Sequence, residues 1–301
     1  MLGYLFLALA LICGVVKGYC GKKTSGKMAC SSDSMLINAV RMLLCVFIGA
    51  IMVTITSKWS LADFNNITIL SSALCGISMA LFAISWILSV NRGAYMLVEV
   101  FLLCGTIIPI ILCNLAFDEQ IKPIHWFGIV MLIISAYIMC TYNKSIKPSL
   151  GIVEILLLVL CACSNGIVDF SQKLYVNLVE NQNIASFNFL TYIFSTIVLF
   201  VFYLIFKRCK KDSSKIRKPK DIIKPIIVYV SIMAVCLFLH SFFKTNAANY
   251  LTATQIYPIS QGGSLILSML MSTLIFKEKI NLKCIIGVIL AFVSLLIINL
   301  F

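Results

Sequence analysis

The sequence predicts an all-α membrane protein of ten transmembrane helices, arranged as two inverted five-helix repeats. Three observations carry this reading. Apolar residues make up 61% of the 301-residue chain and charged residues only 12%, where a soluble domain is nearer half and a quarter. The apolar residues fall in runs of about twenty, the length that crosses a hydrocarbon core of about 30 Å as helix. One pattern of loop and apolar run also occurs twice, 159 residues apart.

The spans follow in order. Leu2–Val16 opens the chain without the charged segment and small-residue cleavage pattern of a signal peptide, and Ile12 is too large for the position before a lipoprotein cysteine. Ser34–Thr56, Ile67–Val90, Gly93–Phe117 and Ile124–Tyr142 complete a first half, residues 1–147. Leu150–Phe170, Ala185–Phe206, Ile222–Phe243, Ala247–Phe276 and Leu282–Leu300 make up the second, residues 148–301. The fourth and ninth exceed what a perpendicular span needs, and Pro109 and Pro258 are the expected points of a break.

The net charge of +13 does not point to nucleic acid, because the cations sit in short loops rather than in a basic-aromatic patch. The odd-numbered connections, counted with Lys224 and Lys283 at the starts of the spans that follow, hold nineteen Lys and Arg against four in the even-numbered ones. Such a bias marks the cytoplasmic side, so both termini are expected outside the plasma (inner) membrane. The densest loop, "KRCKKDSSKIRKPKDIIK", is a topology marker, with anionic lipid headgroups as its other possible role. The thirteen cysteines are scattered singly through apolar runs as small hydrophobes, without metal-ligand spacing. No metal or other cofactor is expected.

The repeat is clearest between "LAFDEQIKPIHWFGIVMLIISAYI" and "LIFKEKINLKCIIGVILAFVSLLI". Seven of these twenty-four positions are identical, among them Phe117/Phe276, Glu119/Glu278, Gly128/Gly287 and Ser135/Ser294. A fainter match joins "GYCGKK" to "DFSQKL", which aligns Lys22 with Lys173 and Arg41 with Tyr192. Five spans per half is an odd number, so the halves must insert in opposite senses, as in many secondary transporters. Gly128 and Gly287 then permit close helix packing. Glu119 and Glu278 cap the helix that follows each of them, or couple protons.

With these residues the chain resembles the drug/metabolite transporter superfamily, in its ten-span EamA-like branch. The stretch "IYPISQGG … FKEKI … IIGVILAFVSLLIIN" is also similar to the last two spans of the small multidrug resistance proteins. The resemblance implies a basket of ten helices around a central cavity that moves a small metabolite by alternating access. A departure goes with it: the small multidrug proteins carry an essential Glu eight residues before a Lys in their first span. Gly14 and Asn165 stand at those positions here, which argues against a simple cation/proton antiporter.

Polar groups at membrane depth are costly and therefore candidates for function. Arg41 binds an anionic substrate group or snorkels to the cytoplasmic face. Glu99 binds an ammonium group or a proton, or neutralises Arg41. Asp169, one helical turn after Asn165, faces the same cavity from near the outer end. Tyr192 joins the candidates as the repeat partner of Arg41. Tyr257, Ser260 and Gln261 surround Pro258 ahead of Gly262 and Gly263, either at a helix break or in a kinked packing helix. Lys244 is expected in solvent and His240 as an interfacial histidine or a proton relay. His125, beside Trp126, reads as an interface anchor.

The expected function is that of a secondary active transporter for an amino acid or similar polar solute, with a small-molecule substrate, a coupling proton or ion and the bilayer as partners. A flippase for a lipid-linked sugar, or a multidrug exporter, is the alternative. Enzymes are set aside because the spans hold no paired Asp, Ser-His pair or HExxH-type ligand set. A monomer suffices for such a basket.

Overall fold

The computed structural model describes residues 1–25, 31–56, 58–92, 95–146, 151–180, 183–209, 226–275 and 282–300. Among these there is no strand. In hydrocarbon each backbone amide and carbonyl must be satisfied within its own segment, which leaves helix as the local answer for apolar runs of this kind. The helices are α1 (Leu2–Ser25), α2 (Ser31–Thr56), α3 (Asn66–Arg92), α4 (Tyr95–Cys104), α5 (Ile107–Phe117), α6 (Pro123–Ile146), α7 (Ile152–Leu178), α8 (Ile184–Cys209), α9 (Ile227–Ala248), α10 (Ala253–Leu274) and α11 (Leu282–Leu300). Seven stretches of the described residues are long and apolar enough to cross a membrane, α4 and α5 counting together as one of them.

The two expected breaks resolve differently. α4 and α5 are separated at Gly105–Thr106, one turn before Pro109. Proline at that position has no amide to offer the carbonyl four residues back. The Gly105 carbonyl instead accepts from Ile108 N at 3.2 Å, and Thr106 Oγ1 donates to Leu103 O at 2.8 Å. Pro258, by contrast, sits inside a continuous helix. The excess length of the expected ninth span is a turn, because α9 ends at Ala248 and α10 begins at Ala253.

That turn is tied down from three sides. Thr252 and Gln255 form a capping box at the start of α10. Glu119 Oε2 accepts from Ala253 N at 2.8 Å. The buried Lys173 Nζ, reaching from α7, donates to Ala248 O at 3.0 Å and Leu251 O at 2.8 Å and lies 3.5 Å from Glu119 Oε1. Glu119 is thus a helix cap, but of α10 rather than of the α6 that follows it. The α6 start is served by His125, whose Nδ1 accepts from Lys122 N at 3.2 Å. Glu278 lies outside the described residues.

Neighbouring helices come largely from opposite halves of the chain. α1 lies along α9 and α3 along α7; α2 lies along α8 and α6 along α11. The α6–α11 seam is built at two points. A Cβ on Gly128 would stand 2.5 Å from Ile298 Cγ1 and 3.0 Å from Ser294 O. Ser135 Oγ donates to Gly287 O at 2.7 Å. Gly128→Leu and Gly287→Leu are expected to lower the yield of folded protein, read by size exclusion in mild detergent, well below that of Gly263→Leu. A Cβ on Gly263 meets only the Leu11 methyls, at 2.8 and 2.9 Å, and a flexible side chain can give way. Equal yields for the three variants would remove the seam from the folding argument.

Candidate functional site

An internal cavity opens between α1, α2, α3, α4, α7, α9 and α10. Its polar wall along α7 follows from one-face spacing: Asn165, Asp169 and Gln172 stand at successive turns, with Val168 beside them. Arg41 comes from α2, Glu99 from α4, and Ser260, Gln261 and Ser264 from α10. Trp86, Phe82, Met79 and Met42 supply the apolar wall.

Arg41 is buried; its Nη1 lies 3.6 Å from Met233 Sδ and its Nε has no hydrogen-bond partner. Glu99 is buried too, and its Oε2 accepts from Ser264 Oγ at 3.4 Å. Asn165 Nδ2 and Gln172 Oε1 have no partner. Gln172 Nε2 donates to Ser241 Oγ at 3.2 Å, and Ser241 Oγ donates to Asn188 Oδ1 at 2.6 Å.

Asp169 and Lys244 overturn two expectations. Neither is solvated near an outer end. They are 1% and 3% exposed, and Lys244 Nζ donates to Asp169 Oδ1 at 2.7 Å. The cause is helix length. α7 runs on to Leu178 and α9 to Ala248, beyond the Phe170 and Phe243 where hydropathy placed the span ends. Both residues are therefore carried inside the bundle. Tyr257 braces the pair from behind, its hydroxyl donating to Asp169 O at 2.6 Å and its ring 5.5 Å from Lys244 Nζ.

Tyr257 and Tyr192 do not line the cavity. Tyr192 is fully buried in the apolar core, donates to Leu237 O at 3.2 Å and packs against Phe238. The repeat register aligned it with Arg41, which does line the cavity. His240, half-buried on the cavity wall, has Nδ1 2.8 Å from Ala10 O. A carbonyl can only accept, so Nδ1 carries the hydrogen there.

Lys17 was missed. The expected first span stopped at Val16 and left Lys17 in a loop; α1 continues to Ser25 and places Lys17 on the cavity wall. Its signal in the sequence was the helical spacing of Gly14, Lys17, Gly18 and Gly21. Gly14 and Asn165, where the small multidrug proteins hold their Glu, both line the cavity. The site is a polar pocket inside an apolar bundle, with charges of both signs and hydrogen-bonding atoms that lack partners.

Comparison with known proteins bears on the family and the fold. The EamA-like transporter family matches residues 152–300. A solved crystal structure described only as "Crystal structure of protein", one of 28 matching chains, superposes with a TM-score of 0.65 at 9% identity, covering 99% of this chain and 96% of its own. At that identity the likeness is one of fold. No curated protein matches the sequence. The family match over residues 152–300 and the membrane-length apolar helices fit a multi-pass membrane protein of the drug/metabolite transporter superfamily.

Proposed function

We propose that the protein is a secondary active transporter that carries a small polar metabolite, an amino acid or similar solute, across the plasma membrane by alternating access. The observation that carries this is the cavity itself. Lys17, Arg41, Glu99, Asp169 and Lys244 share one pocket at the centre of an apolar bundle. Charges at that depth cost several kcal/mol unless they are paired or wet, and so mark a solute pathway.

The helix contacts support two inverted repeats and ten spans. α1 on α9 has its counterpart in α7 on α3, and α2–α8 and α6–α11 each pair a helix with its own repeat partner. At the seam, Gly128 meets Ser294 while Ser135 meets Gly287. This is the reciprocity that a pseudo-two-fold axis produces. Rocking one half against the other around a fixed cavity then exposes it to each side in turn.

Two measurements test the reading. Purified protein warmed with a panel of metabolites should melt higher with its substrate, by RT ln(1 + [L]/Kd) at the melting point. That solute should then exchange across proteoliposomes. Gln261→Trp, which fills the cavity, should abolish exchange while the protein stays folded. Exchange that survives this variant would place the pathway elsewhere. For orientation, a cysteine at position 66 should react with an impermeant reagent added outside, and one at position 213 should not. The reverse pattern would invert the topology.

A further inference from the structure

We propose that the cargo is a small organic anion, bound by its oxyanion between Arg41 and Asn165 and by hydrogen-bond donors at its other end. The inference rests on the transport reading above and narrows its substrate class. The charges lining the cavity are Lys17, Arg41, Lys244, Glu99 and Asp169. Formally that is three cations against two carboxylates. Lys244 and Asp169 already satisfy each other at 2.7 Å, so the surplus positive charge lies on the side of Lys17 and Arg41. A surplus charge in a low-dielectric wall favours occupants of opposite sign. A neutral or zwitterionic solute leaves the surplus standing, whereas a monoanion removes it.

The free hydrogen-bonding atoms give the cargo a direction. Arg41 Nε and Asn165 Nδ2 are buried donors without partners, and the two side chains are 6% and 9% exposed. Leaving buried donors unpaired is costly, and an oxyanion supplies acceptors for both. Further along the same face of α7, Asp169 Oδ2 and Gln172 Oε1 are unpartnered acceptors. They call for hydroxyl or amino donors on the cargo. A hydroxy acid or an acidic amino acid has this layout; an apolar cation, the cargo expected of a simple drug exporter, has the opposite one.

The test reads the sign of the cavity without knowing the cargo. Gln261→Cys places a thiol on the cavity wall. Its modification in full-length protein is followed at peptide level with a sulfonate-bearing and a trimethylammonium-bearing methanethiosulfonate. Each rate is divided by that of the same reagent with free mercaptoethanol, and the parent chain supplies the background of native cysteines. The normalised rate is expected to favour the anionic reagent by about tenfold, the lower end of what a one-signed cleft gives. Lys17→Gln should reduce the preference, Lys17→Arg should retain it, and Arg41→Gln should reduce it further. Equal rates, or a preference for the cationic reagent, overturn the anion assignment and leave the transport reading intact. A preference unmoved by Lys17→Gln and Arg41→Gln overturns it as well. A thiol that neither reagent reaches overturns both readings, since the cavity would then not be wet.

Discussion

Lys244→Met is expected to destabilise the protein by about 3–5 kcal/mol, the cost of stranding a buried carboxylate. Asp169 is 1% exposed, and its Oδ1 accepts from Lys244 Nζ at 2.7 Å. Asp169→Asn should cost a similar amount by stranding Lys244 instead. The double variant Asp169→Asn with Lys244→Met should recover most of the loss, because two neutral groups of similar size replace two charges. Unfolding of the purified protein in detergent, followed by denaturant titration, measures all three. Losses that simply add in the double variant would show that the two residues act separately. Transport gives the second readout: stability that returns while exchange stays lost places the pair in contact with the cargo.

Gly166→Leu is the second large effect expected, at or above the upper end of the about 1–3 kcal/mol that overpacking costs. A Cβ at Gly166 would lie 2.6 Å from Gly105 O and 2.8 Å from Ile108 Cβ, and one at Gly105 would lie 2.5 Å from Ala162 O. The two glycines thus let the broken rod of α4 and α5 lie backbone to backbone on α7. The atoms in the way are main chain, which cannot turn aside as a side chain can. Gly166→Ala should fall between the parent and Gly166→Leu. Gly151→Ala should be close to neutral, since a Cβ there meets only the end of the Glu154 side chain. Detergent melting temperatures check the order, and a Gly166→Leu protein as stable as Gly151→Ala would contradict it.

The helices were legible because apolar runs of membrane length leave the backbone no alternative in lipid. Their ends were not. The expected spans ended at Val16, Phe170 and Phe243, which left Lys17 and Lys244 outside them and Asp169 near an outer end. The helices themselves continue for two turns or more past Val16 and Phe170, and past Phe243 to Ala248. Lys17 and Lys244 joined the cavity for this one reason, whereas Asp169 was expected to face it and only its depth was not. Arg41, Glu99 and Asn165 were found because each sits well inside an apolar run, where a polar group needs an explanation. Tyr192 was added by alignment with Arg41, and alignment carries no information on which way a different side chain works. Pro109 located its break to within a turn. Pro258 did not break its helix, because the surplus length it was meant to explain was a turn at Asn249–Thr252.

The α6–α11 seam has a mechanical consequence. Beyond it the two helices show lipid a surface of Trp126, Phe127, Val130, Ile133 and Tyr137 on one and Ile285, Ile289, Phe292 and Leu296 on the other, all substantially exposed. Hydrocarbon tails have no register, so this surface can slide through the bilayer at little cost. The seam cannot slide: it is pinned at two separated points, where Ile298 and Ser294 O crowd Gly128 and where Ser135 donates to Gly287 O. The pair therefore behaves as a stiff outrigger, smooth on its lipid side and locked within. Its hold on the rest of the bundle runs chiefly through α4 and α10, which carry Glu99, Ser260, Gln261 and Ser264 of the cavity wall.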